Sequence, residues 1–390
     1  MIHYTGRIIQ VVAILGCISS SIYYLFCLWS AVSFLRGRKA GGSPRPTQGL
    51  PPVSILKPLK GIDPDIYESF RSHCRQDYSE YEIIFGVSDA ADPAVAAVRR
   101  LQEEFPRHTI RLVVCPNQLG ANVKVSTLEQ MLPAARYAYL IVNDSDIQVE
   151  ADYLRRVMGP LTDGGIGMVT CLYRGVAAPT LGSRLESLGI STDFCAGVLV
   201  ARQLEGGVRF GLGSTLAFRH RDLERIGGFR SLVDFLADDY ELGRRIAGLG
   251  LEVVLSDVVV ETHLPNYDLT GFLAHQIRWA RGVRDSRKGG YVGLASTFGL
   301  TWALVNLILS HAEPWSWAVL GGVALLRLAV ALTVAKGVLQ DRTLLKNLCL
   351  VPVRDLVAVL VWLASFAGHT VTWRGDRFEL KNGRLMRVVP

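Results

Sequence analysis

The sequence predicts an α/β domain with a mainly parallel sheet, set between an N-terminal transmembrane anchor and C-terminal transmembrane or interface-lying helices. Three observations carry this. Short apolar runs alternate with helix-length segments between residues 53 and 142. Ile8 to Leu35 holds no charged residue, and roughly 20 apolar residues suffice to cross a bilayer's hydrocarbon core. Two later apolar stretches, Tyr291 to Ser310 and Trp315 to Ala335, are joined by the short link His311, Ala312, Glu313, Pro314 and form a candidate transmembrane hairpin.

The chain of 390 residues therefore divides as 1–36 anchor, 37–52 linker, 53–284 α/β domain, 285–371 transmembrane or interfacial helices, and 372–390 basic cytoplasmic tail. Residues 8–35 are too long for a removable signal peptide and lack its small-residue cleavage pattern, so the segment reads as a retained anchor. Gly41, Gly42, Ser43, Pro44, Pro46 and Gly49 to Pro52 mark the linker. Arg36, Arg38 and Lys39 follow the first span against Arg7 alone before it. Basic residues gather on the cytoplasmic side, so the expected placement is a multi-pass protein of the inner (cytoplasmic) membrane with its α/β domain facing the cytoplasm. Lys336, Arg342 and Lys346 after the hairpin agree. Asn347 to Val371 is interrupted by Arg354 and Asp355. A full span there would also put the basic tail (Arg374, Arg377, Lys381, Arg384, Arg387) outside, so a re-entrant or interface-lying segment is expected.

Seven scattered cysteines, an odd number without metal-ligand spacing, fit reduced thiols. A net charge of +7 without interleaved aromatic and basic motifs argues against nucleic acid and for anionic lipid heads or an anionic nucleotide.

The strands expected are Val53–Leu56, Glu82–Val87, Ile110–Val114 and Tyr139–Val142, with helices over Pro64–Gln76, Pro93–Phe105 and Val123–Leu132. Strand and helix in series imply a parallel sheet, whose ligands collect beyond the strands' carboxyl ends where strand order reverses. That rim would carry Lys57, Asp89 and Asp92, Asn117 to Lys124, and Asp144 with Asp146.

Three constellations stand out. "IVNDSDIQ" (Ile141–Gln148) ends a strand with Asp-x-Asp: either a solvated turn, or carboxylates holding a hard divalent cation on a nucleotide diphosphate. "FLADDYELGRRIAGLG" (Phe235–Gly250) sets Asp238 and Asp239 at a helix start, where they either cap the helix or supply a general base. "HQIRWARGVR" (His275–Arg284) spaces Arg278, Arg281 and Arg284 three apart: a basic patch for lipid heads, or an arginine offsetting charge on a leaving diphosphate beside the ring of Trp279.

With Asp92, Asp144 to Asp146, Asp239 and Arg278–Trp279 in that order, the chain resembles family-2-type glycosyltransferases of the GT-A fold, a Rossmann-like mainly parallel sheet. It is most similar to the ceramide glucosyltransferase group through "VSILKPLKGIDP", "SDAADPA", "LGANVKVSTLEQM", "LADDYELG" and "HTVTWRGDRFEL". Within that group, "EIIFGVSDAADPAVAAVRRLQEEFP", "VTCLYRG" and "HQIRWARGVR" resemble the bacterial hopanoid-associated enzymes.

The resemblance implies transfer of N-acetylglucosamine from UDP-N-acetylglucosamine to the membrane lipid bacteriohopanetetrol in hopanoid biosynthesis. A ceramide glucosyltransferase using UDP-glucose is the alternative. A processive polysaccharide synthase and a non-catalytic scaffold are further ones. It also implies that Lys57, Asp92 and Lys124 hold the nucleotide, Asp144 and Asp146 hold Mg²⁺ or Mn²⁺, and Arg278 and Trp279 serve the donor. Asp239 is then the base that deprotonates the lipid hydroxyl, and a single displacement inverts the anomeric centre. His275 departs from the group, where Gln or Arg is usual three positions before Arg-Trp. Eukaryotic ceramide enzymes carry Gly in place of Asp146, and Asp238–Asp239 replaces the commoner Glu-Asp. Ser183 to Gly207, with apolar faces, is expected to border the acceptor groove near the bilayer surface.

Overall fold

The computed structural model describes residues 2–40, 49–373 and 376–387. Linker residues 41–48 and tail residues 374–375 and 388–390, with Arg374 among them, lie outside the described residues.

In chain order the elements are α1 (Ile2–Ala40), β1 (Val53–Leu59), α2 (Ile66–Cys74), β2 (Tyr81–Val87), α3 (Ala94–Glu104), β3 (Thr109–Val114), α4 (Val123–Met131) and β4 (Tyr139–Val142). Then come β5 (Ile147–Gln148), α5 (Tyr153–Met158), β6 (Ile166–Val176), α6 (Leu181–Gly189), a π-helical turn (Ile190–Phe194), α7 (Cys195–Leu204), β7 (Leu216–Arg219), α8 (His220–Arg225), α9 (Asp238–Gly248) and β8 (Glu252–His263). The helical region holds α10 (Leu269–Ser286), α11 (Lys288–Gly293), α12 (Gly299–Leu309), α13 (Pro314–Ala331), α14 (Leu344–Asn347) and α15 (Val351–Ser365). The chain closes on β9 (Thr370–Trp373), β10 (Asp376–Lys381) and β11 (Arg384–Arg387).

All four expected strands form, and they share one eight-stranded sheet of order β3-β2-β1-β4-β7-β6-β8-β5. β1 lies parallel to β2 on one side and to β4 on the other, so strand order reverses between β1 and β4 and opens a crevice there. β7 runs antiparallel to both its neighbours, which makes the sheet mixed rather than wholly parallel.

β1 runs past its expected end. Its pairing with β4 stops at Leu56–Val142, but pairing with β2 continues to Leu59–Val87. One side of the strand is thus free beyond Leu56, and Pro58, which lacks a ladder donor, is tolerated. Lys57 therefore sits inside the strand, fully buried, instead of following it on the rim.

Among the described residues, three helical segments are long and apolar enough to cross a membrane: Gly6–Arg38, Pro314–Val338 and Leu344–Ser365. The first limb of the expected hairpin is broken: Lys288–Thr297 and Gly299–Leu309 meet at 51°. Phe298 leaves helical geometry there (φ −80°, ψ 58°), and Gly299 packs against Tyr24 and Ser20 of α1. The second limb also contains Arg327, a charge that a reading of Trp315–Ala335 as purely apolar passes over.

Both ends of Leu344–Ser365 are bonded to the α/β domain and its neighbouring helix. Just before it, the Leu339 carbonyl accepts from Arg174 at 2.9 Å and the Asp341 carboxylate accepts from Ser191 at 3.2 Å. Just after it, Arg284 of α10 donates to the Ser365 carbonyl and, at 2.9 Å, to the Gly368 carbonyl.

The basic tail is folded. β9, β10 and β11 form a three-stranded antiparallel sheet with Val371, Phe378, Leu380 and Leu385 buried against Ala121 and Leu236. Alternating apolar residues on one face give it a surface to bury. The Ser183–Gly207 segment is likewise packed: Leu188 and Val198 are buried, and α7 lies along α1.

Candidate active site

The crevice at the β1/β4 reversal is organised by backbone bonds that converge on Asn143–Asp146. Lys57 donates to the Asp144 carbonyl at 3.0 Å, Asn143 N–H reaches the Leu56 carbonyl at 3.3 Å, and Asp144 N–H reaches the Gly213 carbonyl at 3.3 Å. Burial holds the Lys57 ammonium down at about 7, against the pull of Asp146, Asp144 and Asp63. Lys57 is thus a buried strut for the acidic loop.

Asp92 is also engaged in shaping a loop. Its two oxygens accept from Gly61 N–H at 3.1 and 3.0 Å, and one accepts from Ala94 N–H at 2.9 Å, closing a turn that leads into α3.

Lys124 is the hub. It enters from the first turn of α4, whose N-terminus Asn122 caps by accepting from Val125 N–H at 3.1 Å. Asn122 also donates to the Phe235 carbonyl at 2.8 Å and to Asp238 at 3.3 Å, docking this turn on the second acidic loop. Lys124 consequently meets Asp144 at 2.7 Å and Asp238 at 3.3 Å. Burial opposes its charge, but Asp144, Asp238 and Asp239 outweigh it, and its affinity for the proton rises.

Asp239 accepts from Gly213 N–H at 2.7 Å. A Cβ on Gly213 would stand 2.8 Å from an Asp144 oxygen and 3.3 Å from an Asp239 oxygen. Only glycine lets the two carboxylates close on the same backbone position, and no motif in the sequence singled Gly213 out. Asp239 is held above the usual carboxylate range, to about 6, by burial and then by Asp238, with Lys124 opposing.

Asp146 is half-buried and accepts from the Thr262 hydroxyl of β8. Burial, then Asp144, pushes it up to about 6. Asp144 itself is 41% exposed. Among the described residues no group of three His, Cys, Asp or Glu side chains is set to hold a metal. Two adjacent carboxylates, one open to the crevice and one raised by its neighbour, still fit a hard cation whose remaining ligands are phosphate oxygens.

The Arg-Trp helix divides its labour. Arg281 donates to the Ala367 carbonyl at 2.8 Å and to that of Thr370, while Arg284 holds Ser365 and Gly368. These two arginines bind the chain's own C-terminal segment. Trp279 faces an aromatic row: Tyr173 to Phe194 is 5.5 Å, Phe194 to Trp279 is 5.8 Å, Trp279 to His275 is 5.4 Å, and His275 to Tyr267 is 5.4 Å. Burial, then Glu186, raises the Tyr267 hydroxyl to about 12, with Arg278 opposing.

An α/β sheet with an acidic crevice at its reversal point is the architecture of the GT-A glycosyltransferases. A mannosyltransferase from Pyrobaculum calidifontis, solved with GDP-Man and Mn²⁺, shares it at a TM-score of 0.56 and 21% identity, over 92% of this chain and 97% of that one. Within that class the chain belongs to Glycosyl transferase family 21, whose sequence profile matches residues 12–386. Ceramide glucosyltransferase 3 of Caenorhabditis elegans is 24% identical over 263 residues, 66% of this chain and 57% of the relative. A ceramide glucosyltransferase of Komagataella phaffii is 32% identical over 127 residues, 30% of this chain and 25% of that one. The chain thus spans little more than half the length of the first of these relatives.

Proposed function

We propose that the protein transfers glucose from UDP-glucose to a hydroxyl of ceramide or a closely similar membrane lipid, with inversion. The observation that carries this is the convergence of Asp144 and Asp239 on Gly213, with Lys124 2.7 Å from Asp144. A carboxylate raised to about 6 beside a second, metal-competent carboxylate is the arrangement a base needs when it stands across from a diphosphate. The choice of ceramide over a hopanoid rests on the named relatives.

Mg²⁺ or Mn²⁺ would be held by Asp144 and Asp146, and would supply positive charge to the diphosphate. Asp239 takes the proton of the attacking lipid hydroxyl. Lys124 keeps that carboxylate ionised and holds the acidic loops at a fixed separation. Arg278 offsets charge on the departing UDP, and Trp279 offers its ring to the sugar or the acceptor entrance. Lys57 and Asp92 act one step back, by fixing the loops around the donor. One base and one displacement give a β-linked product.

The α/β domain lies on the cytoplasmic side of the inner membrane in this reading, and Leu344–Ser365 lies along the interface instead of crossing. Its two ends are tied to the same domain, which supports that placement.

The test uses the purified full chain in detergent, with UDP-glucose or UDP-N-acetylglucosamine, ceramide or bacteriohopanetetrol, with and without EDTA. Glucosylceramide formed only in the presence of a divalent ion is the expected product. N-acetylglucosaminyl-hopanoid in its place would reinstate the hopanoid reading, and metal-independent transfer would remove the ion.

A further inference from the structure

The hairpin that closes the chain carries an electrostatic cost. β10 and β11 are joined by Asn382 and Gly383, which both take positive φ (53° and 78°), as a tight two-residue hairpin turn requires. The register sets Lys381 directly opposite Arg384. Like charges at paired positions repel. Both side chains are exposed, and among the described residues neither forms an ion pair.

α9 faces this turn with an excess of its own. Arg244 and Arg245 share the single carboxylate of Glu241, at 2.8 and 2.7 Å. Phe235 gathers the two sets of cations: the guanidinium carbons of Arg245 and Arg384 each lie 5.2 Å from its ring centre. The ring attracts both without neutralising either.

These residues line a cavity of about 900 Å³ whose wall also includes Asp234, Asp285 and Ser286. Lys381, Arg384, Arg244 and Arg245 thus face three carboxylates. Glu241 already serves two arginines, and the other two acids are engaged by backbone amides. Asp234 accepts from Ala121 N–H at 3.0 Å, and Asp285 accepts from Gly383 N–H. Positive charge is left over on donors that solvent can reach.

The cavity straddles the link between the tail sheet and the loop leading into Asp238 and Asp239. Leu236 N–H donates to the Gly383 carbonyl at 3.1 Å, and Leu385 N–H donates to the Asp234 carbonyl at 2.7 Å. It also adjoins a membrane limb. Ser286 ends α10, and the bent pair of apolar helices opens at Lys288, with Arg287 alone between them.

We infer that this cavity binds a phosphate group, and that the phosphate docks the tail hairpin onto α9 beside the acidic loop. Guanidinium groups bond phosphate oxygens in pairs, and a lysine adds a point charge. A single phosphodiester offsets the left-over charge and relieves the repulsion across the turn. Its place beside a membrane limb puts the site within reach of anionic lipid heads, and free phosphate carries the same chemistry.

The test takes the purified full chain in neutral detergent and adds phosphatidylglycerol, diacylglycerol or inorganic phosphate. Tail cleavage is read with chymotrypsin, which does not need the lysines and arginines being replaced, and stability is read by thermal melting. At about ten times its Kd, phosphatidylglycerol is expected to slow cleavage about tenfold, and diacylglycerol to leave it unchanged. Lys381→Gln combined with Arg384→Gln should lose most of that protection. Arg342→Ala combined with Lys346→Ala removes two exposed cations at the start of Leu344–Ser365 and should keep it. Protection by inorganic phosphate alone upholds the site and makes its ligand soluble. Equal protection by diacylglycerol, or equal loss in the Arg342 and Lys346 variant, overturns the inference. If the double variant at the hairpin does not fold, Lys381→Gln alone decides. It should melt at or above wild type without lipid, because the like-charge pair is gone, and below wild type with phosphatidylglycerol; the opposite order overturns the inference.

Discussion

Lys124 stands 2.7 Å from Asp144 and 3.3 Å from Asp238, so one ammonium clasps the two acidic loops that frame the crevice. Removing its charge leaves a set of half-buried carboxylates facing one another. Lys124→Met is expected to lower kcat by about a hundredfold or more, and to move the acidic limb of the pH profile upward. Lys124 is the group that pulls Asp239 down, so without it the base binds its proton more tightly. A pH series of kcat/KM in wild type and variant reads both effects.

The base itself sets the second expectation. Asp239 works only when ionised and is raised to about 6, so kcat/KM for the acceptor should climb through pH 6 and level off above 7. Asp239→Asn should fall by about 10² to 10⁴. Stability should move the other way. A carboxylate whose folded pKa exceeds its unfolded value favours folding below the unfolded value, and that contribution is lost as pH rises through about 6. Asp239→Asn should therefore melt higher than wild type at pH 8, by on the order of 1 kcal/mol, with the gain vanishing near pH 4. Thermal melts at the two pH values check the sign.

The sequence made the strands, the crevice and the acidic residues legible because each leaves a local mark: apolar runs of strand length, and carboxylates where those runs end. The roles of Lys57 and Asp92 were not legible. Lys57 looks like a rim residue until the pairing of β1 with β2 past Leu56 carries it into the sheet. Asp92 looks free until Gly61 comes to it from 31 positions away. Gly213 carries no side chain to notice, and its meaning exists only once Asp144 and Asp239 arrive from two loops. The tail shows the same limit. Its basic residues mark it in the sequence, but the alternation of Val371, Phe378, Leu380 and Leu385 builds a sheet whose partner surface, at Ala121 and Leu236, is distant in sequence.

That sheet grips the loop bearing the acidic pair. Leu236 N–H donates to the Gly383 carbonyl at 3.1 Å, and Leu385 N–H donates to the Asp234 carbonyl at 2.7 Å. Arg284 and Arg281 clamp the segment that leads into it. Arg284→Ala removes a buried guanidinium from the Ser365 and Gly368 carbonyls and from His369, a loss of about 2–4 kcal/mol. The tail should then be cut readily by protease, and activity should fall although no residue near the diphosphate has changed. Resistance of the Arg284→Ala tail to limited proteolysis would show that the clamp is dispensable.

The placement of Leu344–Ser365 can be read chemically. A crossing helix would put Arg342 and Glu379 on opposite sides of the membrane; an interface-lying one puts both on the side of the α/β domain, with His311 in the hairpin link on the other. Arg342, Glu379 and His311 are all exposed, and Cys349 is the one exposed cysteine while the other six are buried. Arg342→Cys, Glu379→Cys and His311→Cys, each in a Cys349→Ser background, should therefore report cleanly to a membrane-impermeant maleimide. In inside-out vesicles, Arg342→Cys and Glu379→Cys should both be labelled and His311→Cys protected. Labelling of Arg342→Cys without Glu379→Cys would make the segment a true span. The bonds from Arg174 to Leu339 and from Arg284 to Gly368 weigh against that result, because both ends of the helix are anchored to one domain that cannot stand on two sides of a bilayer.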